Sequence, residues 1–479
     1  MHAINRIRSR GQILIIVALT MIVLIGFAAL AIDSGLSYGV KAKLNAAVDA
    51  AALAGARATV FGNDDGARAT AATGAAQKFF DLNFPASYLG TTPGRVVPTI
   101  SAVPQANGKW QVSVSADATR PTFLMGVLGL QSMTIHAQAV SVRRSVDLVL
   151  VIDTSGSLGP PYSSSTTFGQ VQSAAKDFVG KFAAGPGGDR VALVAFASGA
   201  QAKVHFKANF DTGFTLSDIT GAIDALSVGG STASAEAMRI ARDEIDAVPA
   251  AQRSSLRVIV FFSDGAPNDV NANFALNTGA AATCVKTVVT GGRTTHPTST
   301  SCDLYSDPAT SNGASLAYHI YPNDETNGQS YAYATSSPGD RILTLPATGL
   351  GGYPLSGMRG LSGSPPANTL CNVNKAARNM VENVATALRG EGVMVMTIGL
   401  GGDLTVLEPQ YSNHCISGTA ELGTSILKRL ANTSDSDTFT PPSSSTAIPP
   451  TGYYAYAANQ SQLDSAFNAV ASQILRLTQ

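Results

Sequence analysis

The hydrophobic pattern of this chain changes period twice. From Gly11 to Ile32 there is no charge and nearly every residue is apolar. A run of roughly twenty such residues matches the thickness of a bilayer core when helical. Helical spacing continues past Asp33 in DSGLSYGVKAKLNAAVDAAALAGARATV, where Val40, Leu44, Val48 and Ala51 share one face. Alanine, the strongest helix former, dominates that stretch. Gly55 falls next on the same face and predicts a weakening or end of the helix there. A second helix is predicted over 70–83. From Val96 the period drops to two: in KWQVSVSADAT, Trp110, Val112, Val114 and Ala116 alternate with polar residues, and MTIHAQAVSV reads likewise. PTFLMGVLGL between them reads as a short helical connection.

Beyond Arg144 the apolar runs become continuous. VDLVLVID (146–153), RVALVAFA (190–197), LRVIVFFSD (256–264) and VMVMTIGLG (393–401) predict strands covered on both faces. Helices are predicted at about 169–184, 232–247, 374–390, 419–431 and 459–476 from their apolar spacing. Buried strands alternating with helices predict an α/β fold with a doubly wound, mainly parallel sheet. From Val270 to about Thr369 that rhythm is lost among Gly, Thr, Ser, Pro and Asn clusters. So long a structureless loop is improbable inside a compact domain, and the stretch reads as an inserted subdomain. SDSDTFTPPSSSTAIPPTG (434–452) reads as an exposed loop. The expected organisation is a basic tail (1–10), a transmembrane helix (11–32), a helix with a small sheet (33–143) and the α/β domain (144–479) carrying the insert (270–369).

Charge changes this picture at one place. The chain of 479 residues has 32 basic and 32 acidic side chains, a balance that supplies no electrostatic argument for a nucleic-acid partner. Arg6, Arg8 and Arg10 precede the apolar run, however, and place the N-terminus in the cytoplasm. A cleaved secretory signal is the competing reading, with Ala28-Ala29-Leu30-Ala31 as its small-residue site. The length of the run and the helical pattern after it favour an uncleaved, single-pass anchor in the inner or cytoplasmic membrane. The bulk of the chain would then lie in the periplasm or outside the cell. Cys284, Cys302, Cys371 and Cys415 would meet an oxidising space that permits two disulfides, with three pairings open. Asp33 reads as a polar residue at headgroup level.

The candidate chemistry sits where strands stop. Asp153, Ser155 and Ser157 follow the first buried strand of the second half, spaced by two, so that three oxygen-bearing side chains can share one side of a tight turn. GGST (229–232) contributes Thr232, with Ser231 the weaker choice, and FFSDGAPND contributes Asp264. In a doubly wound sheet such strand ends gather at one edge. Two carboxylates and three hydroxyls suit Mg²⁺ (or Mn²⁺) better than Zn²⁺. Taken alone, DxSxS is a common helix-capping pattern; the ordered set of three strand ends is specific.

Residues 146–479 resemble a von Willebrand factor A domain with a metal-ion-dependent adhesion site, and Asp153, Ser155, Ser157, Thr232 and Asp264 match its five site residues. The resemblance implies direct coordination by the hydroxyls, with Asp153 and Asp264 acting largely through water. It also implies a free position for a carboxylate from a partner protein. The insert after Asp264 departs from the family, and would cap the site or supply its ligand. The N-terminal stretch RSRGQILIIVALTMIVLIGFAALAIDSGLSYGVKAKLNAAVDAAALAGA is similar to the start of TadG-like proteins of tight-adherence (Flp) pilus assembly. Residues 33–143 would then form a small pilin-like α+β domain. Five residues after Gly11 stands Ile16, where a prepilin-type cleavage site would have Glu.

The leading expectation is a non-enzymatic, membrane-anchored pilus assembly or anchoring protein that binds pilus or secretion components. Self-association through the small-residue helix is compatible with it. An adhesin binding a partner outside the cell would use the same metal site. A zinc-dependent hydrolase using His296, His319, His414 and the cysteines is the minor alternative, since no tight Cys/His spacing occurs and adjacent His414 and Cys415 are poorly placed for one ion.

Overall fold

Arg10–Ala58 form one unbroken helix, α1, in which the membrane-length apolar run passes directly into the Ala-rich stretch. The computed structural model describes residues 10–62, 64–92, 94–105, 109–197, 199–272, 302–305, 318–320, 332–333, 345–366, 370–405, 421–441 and 450–478. The chain divides into two units, residues 1–143 and 144–478.

In the first unit, the apolar side chains from Leu14 to Phe27 are exposed, whereas Val40, Leu44, Ala47, Val48 and Ala51 are buried. The helix therefore carries an apolar surface all round at one end and a single buried face at the other. That buried face packs on α2 (Asp65–Asn83) and on an antiparallel sheet of β1 (Thr99–Pro104), β2 (Trp110–Pro121) and β3 (Ser132–Arg143), ordered β1-β2-β3. Trp110, Val112, Val114, Ala116 and Ala118 point inward from β2, as the period of two requires.

Gly55 does not end the helix. A Cβ there would lie 2.8 Å from Val112 Cγ1 and 3.1 Å from the Ala72 carbonyl oxygen, so the missing side chain lets α2 and β2 approach α1. Asp33 is not open to solvent. It is fully buried, and its carboxylate accepts hydrogen bonds from the amides of Phe123 (2.6 Å), Leu124 (3.0 Å) and Met125 (2.8 Å), with Arg120 at 3.5 Å.

The second unit is built on six strands: β4 (Val146–Asp153), β5 (Arg190–Phe196), β6 (Ala200–Val204), β7 (Leu256–Ser263), β12 (Met394–Leu400) and β13 (Tyr454–Ala457), numbered around four strands of the insert. Their order is β13-β12-β7-β4-β5-β6, parallel throughout except for the β5–β6 hairpin. Leu148, Leu150 and Ile152 of β4 face one layer, made by α3 (Thr167–Val179), α4 (Leu216–Asp224) and α8 (Leu463–Leu477). Val149 and Val151 face the other, made by α5 (Ser234–Ala247), α6 (Leu370–Gly390) and α7 (Gly423–Ala431). Burial on both faces is the reason the middles of β4, β5, β7 and β12 are mainly apolar.

The insert is rooted in this core at both ends. Its first strand, β8 (Asp269–Ala272), buries Val270 and Ala272 in the α5–α6 layer, where Leu345, Tyr353 and Leu355 also lie. The strand β8 pairs with β9 (Cys302–Tyr305), followed by β10 (Tyr318–Ile320) and β11 (Ala332–Tyr333), in an antiparallel ladder. Near the other end, Arg359 forks onto Glu421 (2.7 and 2.8 Å) and Glu382 (2.7 and 3.0 Å), and Arg429 joins the same acids. The expected disulfides lie outside the described residues, since Cys284 and Cys415 are not described and Cys302 and Cys371 are described only in backbone.

Candidate metal centre

Strand β4 is the topological switch of the sheet, with β5 on one side and β7, reached later, on the other. The crevice at its carboxyl end is where a doubly wound sheet binds ligands, and Asp153 is its last residue. The buried Asp153 carboxylate is fixed from two sides. Its Oδ1 accepts the Ser155 amide at 2.8 Å, and its Oδ2 accepts the Ser263 hydroxyl at 2.6 Å.

From there a chain of hydroxyls crosses the site. Ser155 Oγ and Ser157 Oγ are 3.0 Å apart, and Ser157 Oγ donates to Asp264 Oδ1 at 2.9 Å. The loop before α5 is drawn over by backbone bonds: Gly156 N–H donates to the Gly230 carbonyl at 2.9 Å, and Gly229 N–H donates to that of Thr154 at 2.9 Å. Gly230 adopts a positive φ of 88°, and a Cβ on Gly156 would stand 3.3 Å from the Gly230 oxygen. Two glycines are what let these loops touch.

Thr232 is oriented by its neighbour in space. Its N–H donates to Asn268 Oδ1 at 2.8 Å, and its Oγ1 lies 3.9 Å from where a Cβ on Gly265 would sit. The Ser231 hydroxyl instead donates to Asp269, at the start of β8. The strand that opens the insert thus braces the loop that presents Thr232. All five residues singled out from sequence gather at one sheet edge. Ser263, Asn268 and Asp269, which aim them, were not singled out; the only local signal was their place within FFSDGAPND.

The electrostatics are those of a site short of positive charge. Burial pushes the Asp153 carboxyl up to about 6 against the donors from Ser263 and Ser155. Burial, and then the Asp153 charge, push Asp264 well above the usual carboxylate range, with Asp403 adding to the effect and the Ser157 hydroxyl opposing it. A buried carboxylate, Asp153, whose charge opposes ionisation of the half-buried Asp264, joined to it by hydroxyls and with only oxygen donors, fits a hard divalent cation. The alternative zinc set is not described at its side chains: His296, His414, Cys284 and Cys415 lie outside the described residues, and His319 is described only in backbone.

Residues 148–266 match the family model of the von Willebrand factor type A domain, and residues 11–58 match that of putative Flp pilus-assembly TadE/G-like proteins. One chain thus carries a TadE/G-like match in its first helix and a match to the von Willebrand factor type A model in its second unit, whose sheet is mostly parallel. No curated protein matches it. Similar solved structures include the von Willebrand domain of the type V pili tip protein Mfa5 from Porphyromonas gingivalis, at 17% identity, covering 71% of this chain and 98% of that one, TM-score 0.37. Proximal thread matrix protein 1 from the mussel byssus, with a zinc-occupied adhesion-site motif, is 16% identical, covering 70% of this chain and 46% of that one, TM-score 0.34. The pilus adhesin SpaC from Lactobacillus rhamnosus GG is 14% identical, covering 81% of this chain and 35% of that one, TM-score 0.35. This chain spans about half the length of the mussel protein.

Proposed function

We propose that this protein is a membrane-held component of pilus assembly or anchoring that grips a protein partner through a divalent cation. The cation would be held at Asp153, Ser155, Ser157, Thr232 and Asp264. The observation that carries the reading is the convergence of these five oxygen-bearing side chains on one sheet edge, in a chain whose first helix is TadE/G-like and long and apolar enough to cross a membrane.

Mg²⁺ or Mn²⁺, when bound, supplies a Lewis-acidic position that a partner's Asp or Glu carboxylate can occupy. The chain's own residues prepare for this. Ser155, Ser157 and Thr232 offer neutral oxygens, which leave the cation's charge available to an anionic partner. Asp153 and Asp264 provide the negative charge, held at fixed angles by the Ser263 and Ser157 hydroxyls. The anchor would keep the N-terminus in the cytoplasm and the metal-site domain on the other side, where envelope components of the pilus are met. The role is binding rather than catalysis.

The test is co-purification from native membranes. Full-length protein solubilised in Mg²⁺ should retain a partner that a chelator elutes, and Asp153→Ala should retain none. Retention unaffected by both chelator and substitution would contradict the reading.

A further inference from the structure

The connection between β2 and β3, read from sequence only as a short helical link, is apolar and exposed, and it hangs beside the anchor. Phe123 is 73% exposed and Leu130 53%, and Met133, at the start of β3, is 37% exposed. No Asp, Glu, Lys or Arg occurs between Arg120 and Arg143. Water is a poor environment for such a loop.

Its backbone is unusually self-sufficient. The amides of Phe123, Leu124 and Met125 donate to the Asp33 carboxylate. Those of Thr122, Gly129 and Leu130 donate to Gln131, Gly126 and Met125 within the loop itself. Internally satisfied amides are what a segment needs where water is scarce.

Position along α1 says what it meets. The uncharged run ends at Ile32, and twenty helical residues span about 30 Å, a bilayer core. Asp33 therefore stands at the far interface, and it holds the loop backbone at that height. Ala29, one turn earlier on the Asp33 face and inside the uncharged run, is only 4% exposed, while Phe27 and Leu30 beside it remain open. The 3-10 turn Met125–Leu128 touches α1.

Polarity rises away from this level. Thr119 and Thr134 pair across the strands at 3.0 Å, then Asp117 and His136 at 2.8 Å, and Lys41 reaches the His136 carbonyl. Tyr38, one turn beyond Asp33, is exposed at the height where interfacial aromatics sit.

We propose that the Phe123–Leu130 loop is a second membrane contact, dipping its apolar side chains into the leaflet from which α1 emerges and fixing the orientation of the N-terminal unit on the bilayer. The inference rests on reading α1 as a membrane anchor, so its test includes that reading.

Full-length F123W is reconstituted in phosphatidylethanolamine/phosphatidylglycerol vesicles whose acyl chains carry bromine at shallow or deep positions. Indole quenching is read after subtracting the wild-type signal of buried Trp110. V23W reports the middle of the apolar run, and F61W, just past the end of α1 at Ala58, itself about 37 Å beyond Asp33 at 1.5 Å per residue, reports the distal end. The expected result is F123W quenched most by shallow bromines, V23W most by deep ones, and F61W by neither. V23W quenched with F123W indistinguishable from F61W would overturn the loop contact and leave the anchor standing, as would a protein or second copy covering the loop. Absence of quenching in both V23W and F123W would overturn the anchor and the loop together.

Discussion

Ser157 Oγ donates to Asp264 Oδ1 at 2.9 Å although 107 residues separate them in the chain. The bond joins the loop after β4 to the loop after β7, and it is the last link of the hydroxyl chain that begins at Ser155. Ser157→Ala removes both the donor to a half-buried carboxylate and one proposed cation ligand. Without metal, the loss should cost about 1.5–3 kcal/mol in denaturant unfolding, as for a hydrogen bond to a charged group. With Mg²⁺ present the deficit relative to wild type should widen, because the wild type alone gains fully from the ion.

The pH dependence follows from Asp153. Its carboxyl is raised to about 6 in the folded chain from an ordinary value of 3.8. The folded state therefore holds a proton that the unfolded state releases, and the resulting stability is present below about pH 4 and lost as pH rises through about 6. A divalent cation competes with that proton, so stabilisation by Mg²⁺ should grow across the same window. Thermal unfolding in chelator and in Mg²⁺ at several pH values checks this, with Asp153→Asn as the variant in which the dependence should flatten.

Gly55→Ala tests packing against propensity. Alanine gains about 1 kcal/mol in helix propensity over glycine, but its Cβ would stand 2.8 Å from Val112 and 3.1 Å from the Ala72 carbonyl. Overpacking of this kind costs about 1–3 kcal/mol. The expected outcome is a net loss of stability in the first unit, larger for Gly55→Val, measured by denaturant unfolding in detergent micelles.

Arg359 pins the far end of the insert to α6 and to the residues leading into α7. Replacing it with Ala leaves Glu382 and Glu421 facing each other with less compensation, and breaking a buried ion network by removing one partner costs about 3–5 kcal/mol. Arg359→Lys should recover only part of this, because an ammonium cannot reproduce the two forked contacts at 2.7–3.0 Å. Unfolding midpoints of the second unit separate the three proteins.

What was legible in the sequence follows from where the signal lies. The strands β4, β5, β7 and β12 are buried on both faces, so each appears as a mainly apolar run; the carboxyl ends of β4 and β7 carry Asp153, Ser155, Ser157 and Asp264, whereas Thr232, expected at a strand end, stands on the loop between the helices α4 and α5. The edge strand β6, AQAKV, is half-buried along its whole length and has no such run. The short α4, LSDITGAID, buries only Ile219 and Ile223 and escaped notice for the same reason. Ser263 and Asn268 act through hydrogen bonds to residues 110 and 36 positions away, which no local pattern records. Asp33 shows the same limit: its meaning lies in amides about 90 residues distant. Gly55 was visible as a glycine, but whether it ends a helix or admits a neighbour depends on α2 and β2.

The central claim is that the five oxygens bind a divalent cation. The most direct measurement is thermal unfolding of the full chain in detergent, following the second unit, in excess Mg²⁺ or Mn²⁺ and in chelator, for wild type and Asp153→Ala. A cation that binds only the folded state stabilises by about 2.7 kcal/mol at a hundred times its dissociation constant. A metal-dependent rise in midpoint that disappears in Asp153→Ala is the predicted result. Equal midpoints of the wild type in metal and chelator would contradict the account.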